Sequence, residues 1–198
     1  MYRQESEHGL QSAYRLSAIA LMVATQAAGG TIFSFRWAPA NPNDNTLCLI
    51  QKFKMSTLQI IAATATIFPR YEARIARAFT ASDSAGTAFD VTGNNEKKRT
   101  SFSASKAADI RASINVTAGL TVGARTLDAH PFLSLVSNLT ITTPNPIEYV
   151  RETDLTEEHP LILARNEGIV VTGPVVIFGA AGQSEVHIEM SWSEVGAF

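Results

Sequence analysis

Between Ser184 and Val195, Val186, Ile188, Met190 and Trp192 alternate with Glu185, His187, Glu189 and Ser191. A helix would scatter these side chains around its circumference, whereas a pleated strand sorts them onto two opposite faces. The stretch therefore reads as a strand with one buried and one wet face, which needs a sheet that covers a core on one side only. Just upstream, Asn166-Glu167-Gly168-Ile169-Val170-Val171 and Gly179-Ala180-Ala181-Gly182 supply the turn and strand signals of a β-meander.

The same grammar runs through the chain. Phe33, Phe35 and Trp37 alternate with Ser34 and Arg36, and Lys52 and Lys54 alternate with Phe53 and Met55 in a strand expected over 46–55. Further strands are expected near 87–92, at 110–116, and at 161–164, 169–171, 175–178 and 184–195. Residues 57–79 fit both a helical stripe and strand alternation, and the β surroundings favour strand. Residues 126–160, with Pro131, Pro144, Pro146 and Pro160, read as a long irregular connection. Leu16 to Ala24 resembles the core of a signal peptide, but Glu5 and Glu7 offset Arg3 and Arg15 before it, and it is too short to span a membrane. It is read as a strand or arm of the mature protein. These signals predict an all-β, two-sheet β-sandwich, jelly-roll-like, with an N-terminal arm over 1–13 and a single domain over 14–198.

Composition narrows the function classes. A chain of 198 residues suits one domain, which at that size buries roughly 70% of its unfolded surface without a disulfide or metal. The single Cys48, inside Leu47-Cys48-Leu49-Ile50, reads as a buried, inert thiol. Net charge is −2, so no basic field points to nucleic acid. Charged residues make up 17% of the chain, against about 25% in typical soluble domains. A surface so poor in charge suits a protein packed against neighbours, and it suits many ordinary β-domains as well.

Candidate chemistry is sparse. His8, His130, His159 and His187 show no close metal-ligand spacing, and no HExxH or paired CxxC occurs. Glu152, Asp154, Glu157 and Glu158 form an acidic cluster without EF-hand spacing, read as a solvated loop. Asp83, Asp90, Asn94 and Asn95 read as turn chemistry. GxSxG, P-loop and GxGxxG patterns are missing. Glu185 and Glu189 share one strand face about 13 Å apart, too far for a glycosidase pair. Asn115 and Asn138 stand in chance matches to glycosylation acceptors. Phe33, Phe35, Trp37 and Trp192 are assigned to the core. No catalytic, cofactor-binding or metal-binding residue is expected, and the protein is read as a non-enzyme. Lys97-Lys98-Arg99 reads as a solvated loop tip after a turn, with contact to an acidic partner surface as the alternative. The candidate contact residues are Arg3, Tyr14, Arg15, Lys97, Lys98, Arg99 and Phe198, with the arm and the loops at 82–86 and 93–98 as contact elements.

Three separated motifs carry a resemblance. They are Arg77-Ala78-Phe79-Thr80-Ala81-Ser82-Asp83-Ser84-Ala85-Gly86-Thr87 with Thr92-Gly93-Asn94-Asn95; Arg125-Thr126-Leu127-Asp128-Ala129; and His159-Pro160-Leu161-Ile162-Leu163-Ala164-Arg165-Asn166-Glu167-Gly168 with the closing Glu189-Met190-Ser191-Trp192-Ser193-Glu194. In this order, over roughly 14–195, the chain resembles a group of tailed-bacteriophage and prophage virion proteins. The resemblance implies a β-sandwich capsid decoration (cement) protein, made in the bacterial host cytoplasm and bound as a homo-oligomer, a trimer favoured, to the major capsid protein on the outer surface of the virion. It implies neither nucleic acid nor membrane as partner. The alternative within the virion is a tail- or fibre-associated protein with an adhesin or glycan-binding role.

Overall fold

The computed structural model describes residues 10–23, 26–62, 69–94, 96–114, 119–136, 145–150, 161–173 and 182–196. Its strands in chain order are β1 (Leu10–Val23), β2 (Thr31–Trp37), β3 (Leu47–Ile61), β4 (Arg70–Arg77), β5 (Thr87–Ala88), β6 (Ala107–Ala112), β7 (Thr126–Leu127), β8 (Leu133–Val136), β9 (Asn145–Val150), β10 (Ile162–Leu163), β11 (Glu167–Thr172) and β12 (Gln183–Val195). No helix occurs among the described residues.

The strands form two sheets. The first has the order β1-β12-β3, with β9 and β10 sharing the position beyond β3. The second has the order β5-β6-β2-β11-β4, with β7 and β8 sharing the position beyond β4. The chain crosses from sheet to sheet at β1, β2, β3 and β4 in turn, and again at β9, β11 and β12. This interleaved winding is that of a jelly roll. The hairpin of β5 and β6 extends the second sheet beyond β2.

The alternation of β12 becomes a cross-strand ladder. Leu16, Ala18 and Ala20 of β1 stand opposite Met190, Ile188 and Val186, and on its other side β12 sets Met190 and Ile188 opposite Phe53 and Met55 of β3. A β-bulge at Gln51 then changes the parity of β3, because Ser191 faces Lys52 while Trp192 faces Ile50. Hence Phe53 and Met55 point inward at odd positions while Cys48 and Ile50 point inward at even ones. Between the sheets, Trp192 stacks on Tyr14 at 5.4 Å and meets Phe35 of the second sheet edge-on at 5.2 Å. Phe53 and Phe33 repeat the inter-sheet contact at 6.3 Å. Phe33, Phe35, Trp37 and Trp192 are all fully buried, as their positions in the alternation predict.

Several boundaries differ from the expectation. Strand β1 starts at Leu10, inside the span read as an arm, because its register with β12 continues to Val195. β3 runs six residues past Met55, and the ambiguous 57–79 region contributes its end and β4. The irregular connection at 126–160 contains β7, β8 and β9; two of them, β7 and β8, are too short for periodicity to show, and they are held by pairing with β4 and by packing of Leu127, Leu133 and Leu135. The strand expected at 110–116 ends at Ala112, and the one expected at 175–178 lies outside the described residues.

Gly168 sits in β11 between Arg36 of β2 and Ala76 of β4. A Cβ there would collide with the Phe35 carbonyl oxygen and lie 2.9 Å from Phe79 Cδ1. The ring of Phe79 occupies the space a side chain would take. Gly168→Ala is expected to destabilise by about 1–3 kcal/mol through overpacking, lowering the melting temperature by about 2–4 °C per kcal/mol. A thermal melt of the variant checks this, and an unchanged melting temperature would contradict the close approach.

Candidate interaction surface

The outer face of the first sheet displays the residues that alternate with the core. Arg15, Ser191 and Lys52 form one cross-strand row, Ser17, Glu189 and Lys54 the next, then Ile19, His187 and Ser56, then Leu21, Glu185 and Leu58. Glu189 lies 3.7 Å from Lys52 and 4.0 Å from Lys54, and His187 Nε2 lies 3.2 Å from Glu185 Oε2. The charged rows give way toward the other end of the sheet to exposed Ile19, Ile60 and Ile61. Glu185 and Glu189 each face a basic neighbour on this face, consistent with a surface role.

The edge of β1 away from β12 is met by the long excursion between β4 and β7. Arg15 N–H donates to the Glu96 carbonyl (2.7 Å) and Lys98 N–H to the Ala13 carbonyl (2.9 Å), which sets Lys97 opposite Tyr14. Further along, Leu21 N–H donates to the Ser113 carbonyl at 2.7 Å. A groove of about 510 Å³ opens here, lined by Arg15, Leu16, Phe89, Glu96, Glu189 and Met190 among others. The clamp brings the backbone of Lys97 and Lys98 beside that of Ala13–Arg15. Loss of hydration, together with the Arg15 charge, holds the Lys98 ammonium below its usual range. Lys97 Nζ donates to Asn94 Oδ1 at 3.0 Å, and the Arg99 guanidinium lies 5.5 Å from the Phe102 ring centre.

Of the seven expected contact residues, Arg15 and Lys98 are thus brought near one another, with Lys97 and Arg99 flanking Lys98 in the chain. Tyr14 does not join them: it is fully buried, stacked on Trp192, and its hydroxyl donates toward Ser12 Oγ and the Ser103 carbonyl. Its place on the inward parity of β1 makes it support for the edge from within. Arg3 and Phe198 lie outside the described residues, as do His8, His159, Asn95 and the acidic cluster at 152–158. The loop at 93–98 clamps the β1 edge. The loop at 82–86 is tied into the body instead, with Ser84 and Thr121 exchanging backbone hydrogen bonds of 2.9 and 3.0 Å.

Two carboxylates, Asp83 and Glu194, face inward. Asp83, expected as turn chemistry, is buried and ion-paired with Arg125, and its Oδ1 also accepts from Gly123 N–H at 2.7 Å. The Arg125 guanidinium donates to Thr31 Oγ1 and lies 4.8 Å from the Phe79 ring centre. Arg77 bridges Asp128 (3.1 Å) and Glu167, which raise its pKa by hydrogen bonding. Arg77 with Asp83, Arg125 with Asp128, and Glu167 come from the three separated motifs, so the motifs converge as ionic clamps around β4. Asp90 does behave as turn chemistry, its Oδ1 accepting from Thr92 N–H at 2.8 Å.

Glu194 is the second buried acid. It accepts from Ser12 Oγ (3.2 Å), Ser105 Oγ (3.0 Å) and Lys106 N–H (2.8 Å), which fastens the 103–107 segment to β1 and β12. Cys48 stands opposite it on β3, buried. Among the described residues, no three of His, Cys, Asp and Glu gather as a cation site. No family model matches the chain, and no curated protein matches it significantly.

Burial raises the Glu194 pKa above its ordinary 4.5, outweighing the hydrogen bonds that favour the anion. A raised folded-state pKa means the neutral form is favoured in the fold, and that advantage disappears as pH rises through the folded value. Glu194→Gln should therefore match the wild type below pH about 4.5 and gain on it as pH rises above that value. Glu194→Ala should be destabilised by about 1–3 kcal/mol at every pH, since it strands buried donors. Thermal melts across pH 4–8 separate the two variants, and a Gln variant that loses ground as pH rises would reverse the assigned sign.

Proposed function

We propose that the protein is a non-enzymatic structural component of a tailed-bacteriophage virion. Its role is that of a capsid decoration protein, which binds the lattice of the major capsid protein on the outer surface of the shell and stabilises it as a homo-oligomer, a trimer favoured. The observation that carries this reading is the outer face of the first sheet: three long strands presenting ordered charged rows and an apolar end. Such a face matches a broad protein surface better than a small substrate.

Magnitudes favour a multivalent mode. Strands of 13 to 15 residues at about 3.4 Å per residue and 4.8 Å spacing give a face of roughly 600 Å². A stable protein interface buries about 800 Å² per partner. One such face gives only modest affinity, and an oligomer that engages several lattice sites together gains avidity without new contacts. The motif order over 14–195 supports the virion assignment, and the burial of Phe33, Phe35, Trp37 and Trp192 leaves a glycan-binding role without a platform from those aromatics.

Purified protein mixed with empty shells of its phage is expected to co-sediment with them and to raise their melting temperature. The association should weaken from 0.15 M to 1 M salt, as the screening length falls from about 8 Å to 3 Å. Failure to bind, with an unchanged shell melting temperature, would overturn the proposal, and binding confined to tails would move the protein to the tail or fibre.

A further inference from the structure

The two clamps on β1 leave a gap between them. Arg15 and Leu21 direct their N–H groups away from β12, to Glu96 and Ser113. In an antiparallel strand successive residues point their backbone groups to opposite sides, so Ser17 and Ile19 also face away from β12. Among the described residues neither makes a backbone hydrogen bond on that side. Ser17 is exposed, and Ile19 is 44% exposed. The groove meets this interval at its Arg15–Ser17 end, with the Phe89 and Glu96 side chains beside it. An open strand edge next to a groove is what a partner strand needs to extend a sheet.

We infer that the β1 edge between Arg15 and Leu21 accepts a short, extended, acidic segment of a partner protein as an added strand; the choice of partner, the major capsid subunit, rests on the shell-docking reading. The interval spans about 20 Å, enough for a strand of roughly five residues. A groove in the range of about 300–1,000 Å³ suits a short segment rather than a folded domain. Charge selects its composition. Arg15 lines the groove and Lys98 stands near Arg15, and the two charges disfavour each other until an anion comes between them.

The same groove holds carboxylates. Glu96 Oε2 is buried without a hydrogen-bond partner, and Glu189 lines the opposite side. A polypeptide strand supplies both what the cations need, as carboxylates, and what Glu96 needs, as N–H donors. A nucleic-acid backbone offers phosphate acceptors that would meet Glu96 and Glu189 unfavourably. Alternate residues of the added strand would face the charged outer surface or the apolar Leu16, Phe89 and Met190 side, so an acidic–apolar alternation fits best.

Amide hydrogen exchange on the full chain is the first test. Ser17 and Ile19 amides should exchange at least about 100-fold faster than those of Leu16 and Ala18, which face β12. Protection of Ser17 and Ile19 in the protein alone would mean the edge is already covered and would overturn the inference. Adding acetyl-Glu-Val-Glu-Val-Glu-amide should slow both amides. Ser17→Pro removes an outward N–H at an edge, where proline is tolerated, and should weaken the peptide at least tenfold with an unchanged melting temperature. Arg15→Glu combined with Lys98→Glu should weaken it similarly and reduce its salt dependence. Equal binding by the Ser17→Pro variant, or tighter binding of the lysine counterpart peptide or of oligothymidylate, would overturn the inference. A concentration-dependent dimer that Ser17→Pro abolishes would assign the edge to a second copy and overturn the choice of partner. With shells, equal binding by wild type and Ser17→Pro defeats this inference alone. No binding by wild type defeats the shell reading, and the peptide results then decide the edge independently.

Discussion

Trp192 sits where the two sheets meet. Its ring stacks on Tyr14 within the first sheet and takes the edge of Phe35 from the second, while its indole N–H lies 3.4 Å from Ser105 Oγ on the long excursion. One side chain therefore touches the ladder, the facing sheet and the segment that seals the edge. Aromatic contacts of this kind contribute beyond the area they bury, about 0.5–1.5 kcal/mol each. The bulge at Gln51 exists in this setting, because without the change of parity Ile50 and Cys48 would turn to solvent opposite Trp192 and Glu194.

Around that centre the polar interior is organised by pairing. Glu194 and Asp83 are carboxylates that burial would penalise heavily if left alone. Each instead joins distant pieces of chain: Glu194 joins β1, β12 and residues 105–106, and Asp83 joins the 78–86 turn to Arg125 and the backbone at Gly123. Such pairs add little net stability over an apolar substitute, but breaking one partner is costly. Their effect here is geometric. They hold the excursion between β4 and β7 against the body, and that excursion sets residues 96–98 against the β1 edge at Ala13–Arg15.

The surface follows from the same arrangement. A strand that buries one face must display the other, so the alternation in β1, β12 and β3 creates the charged rows as well as the core. Among the described residues, the β1 edge is covered at Ala13–Arg15 and at Leu21, which shortens the run of backbone open to unwanted pairing.

The strands and their buried faces were legible wherever alternation ran for five or more residues, as in β2, β3 and β12. Side-chain period is a local property, and burial of one face follows from it directly. The basic run Lys97 to Arg99 was visible as a charged stretch after a turn, but its neighbours were not. Tertiary structure alone decided the short strands β7 and β8, the inward placement of Tyr14, and the pairing of Asp83 with Arg125 across 42 residues. It also decided that the basic run would close on the β1 edge. These depend on which segments meet through the jelly-roll winding, and no local period encodes a contact between residues so far apart in the chain.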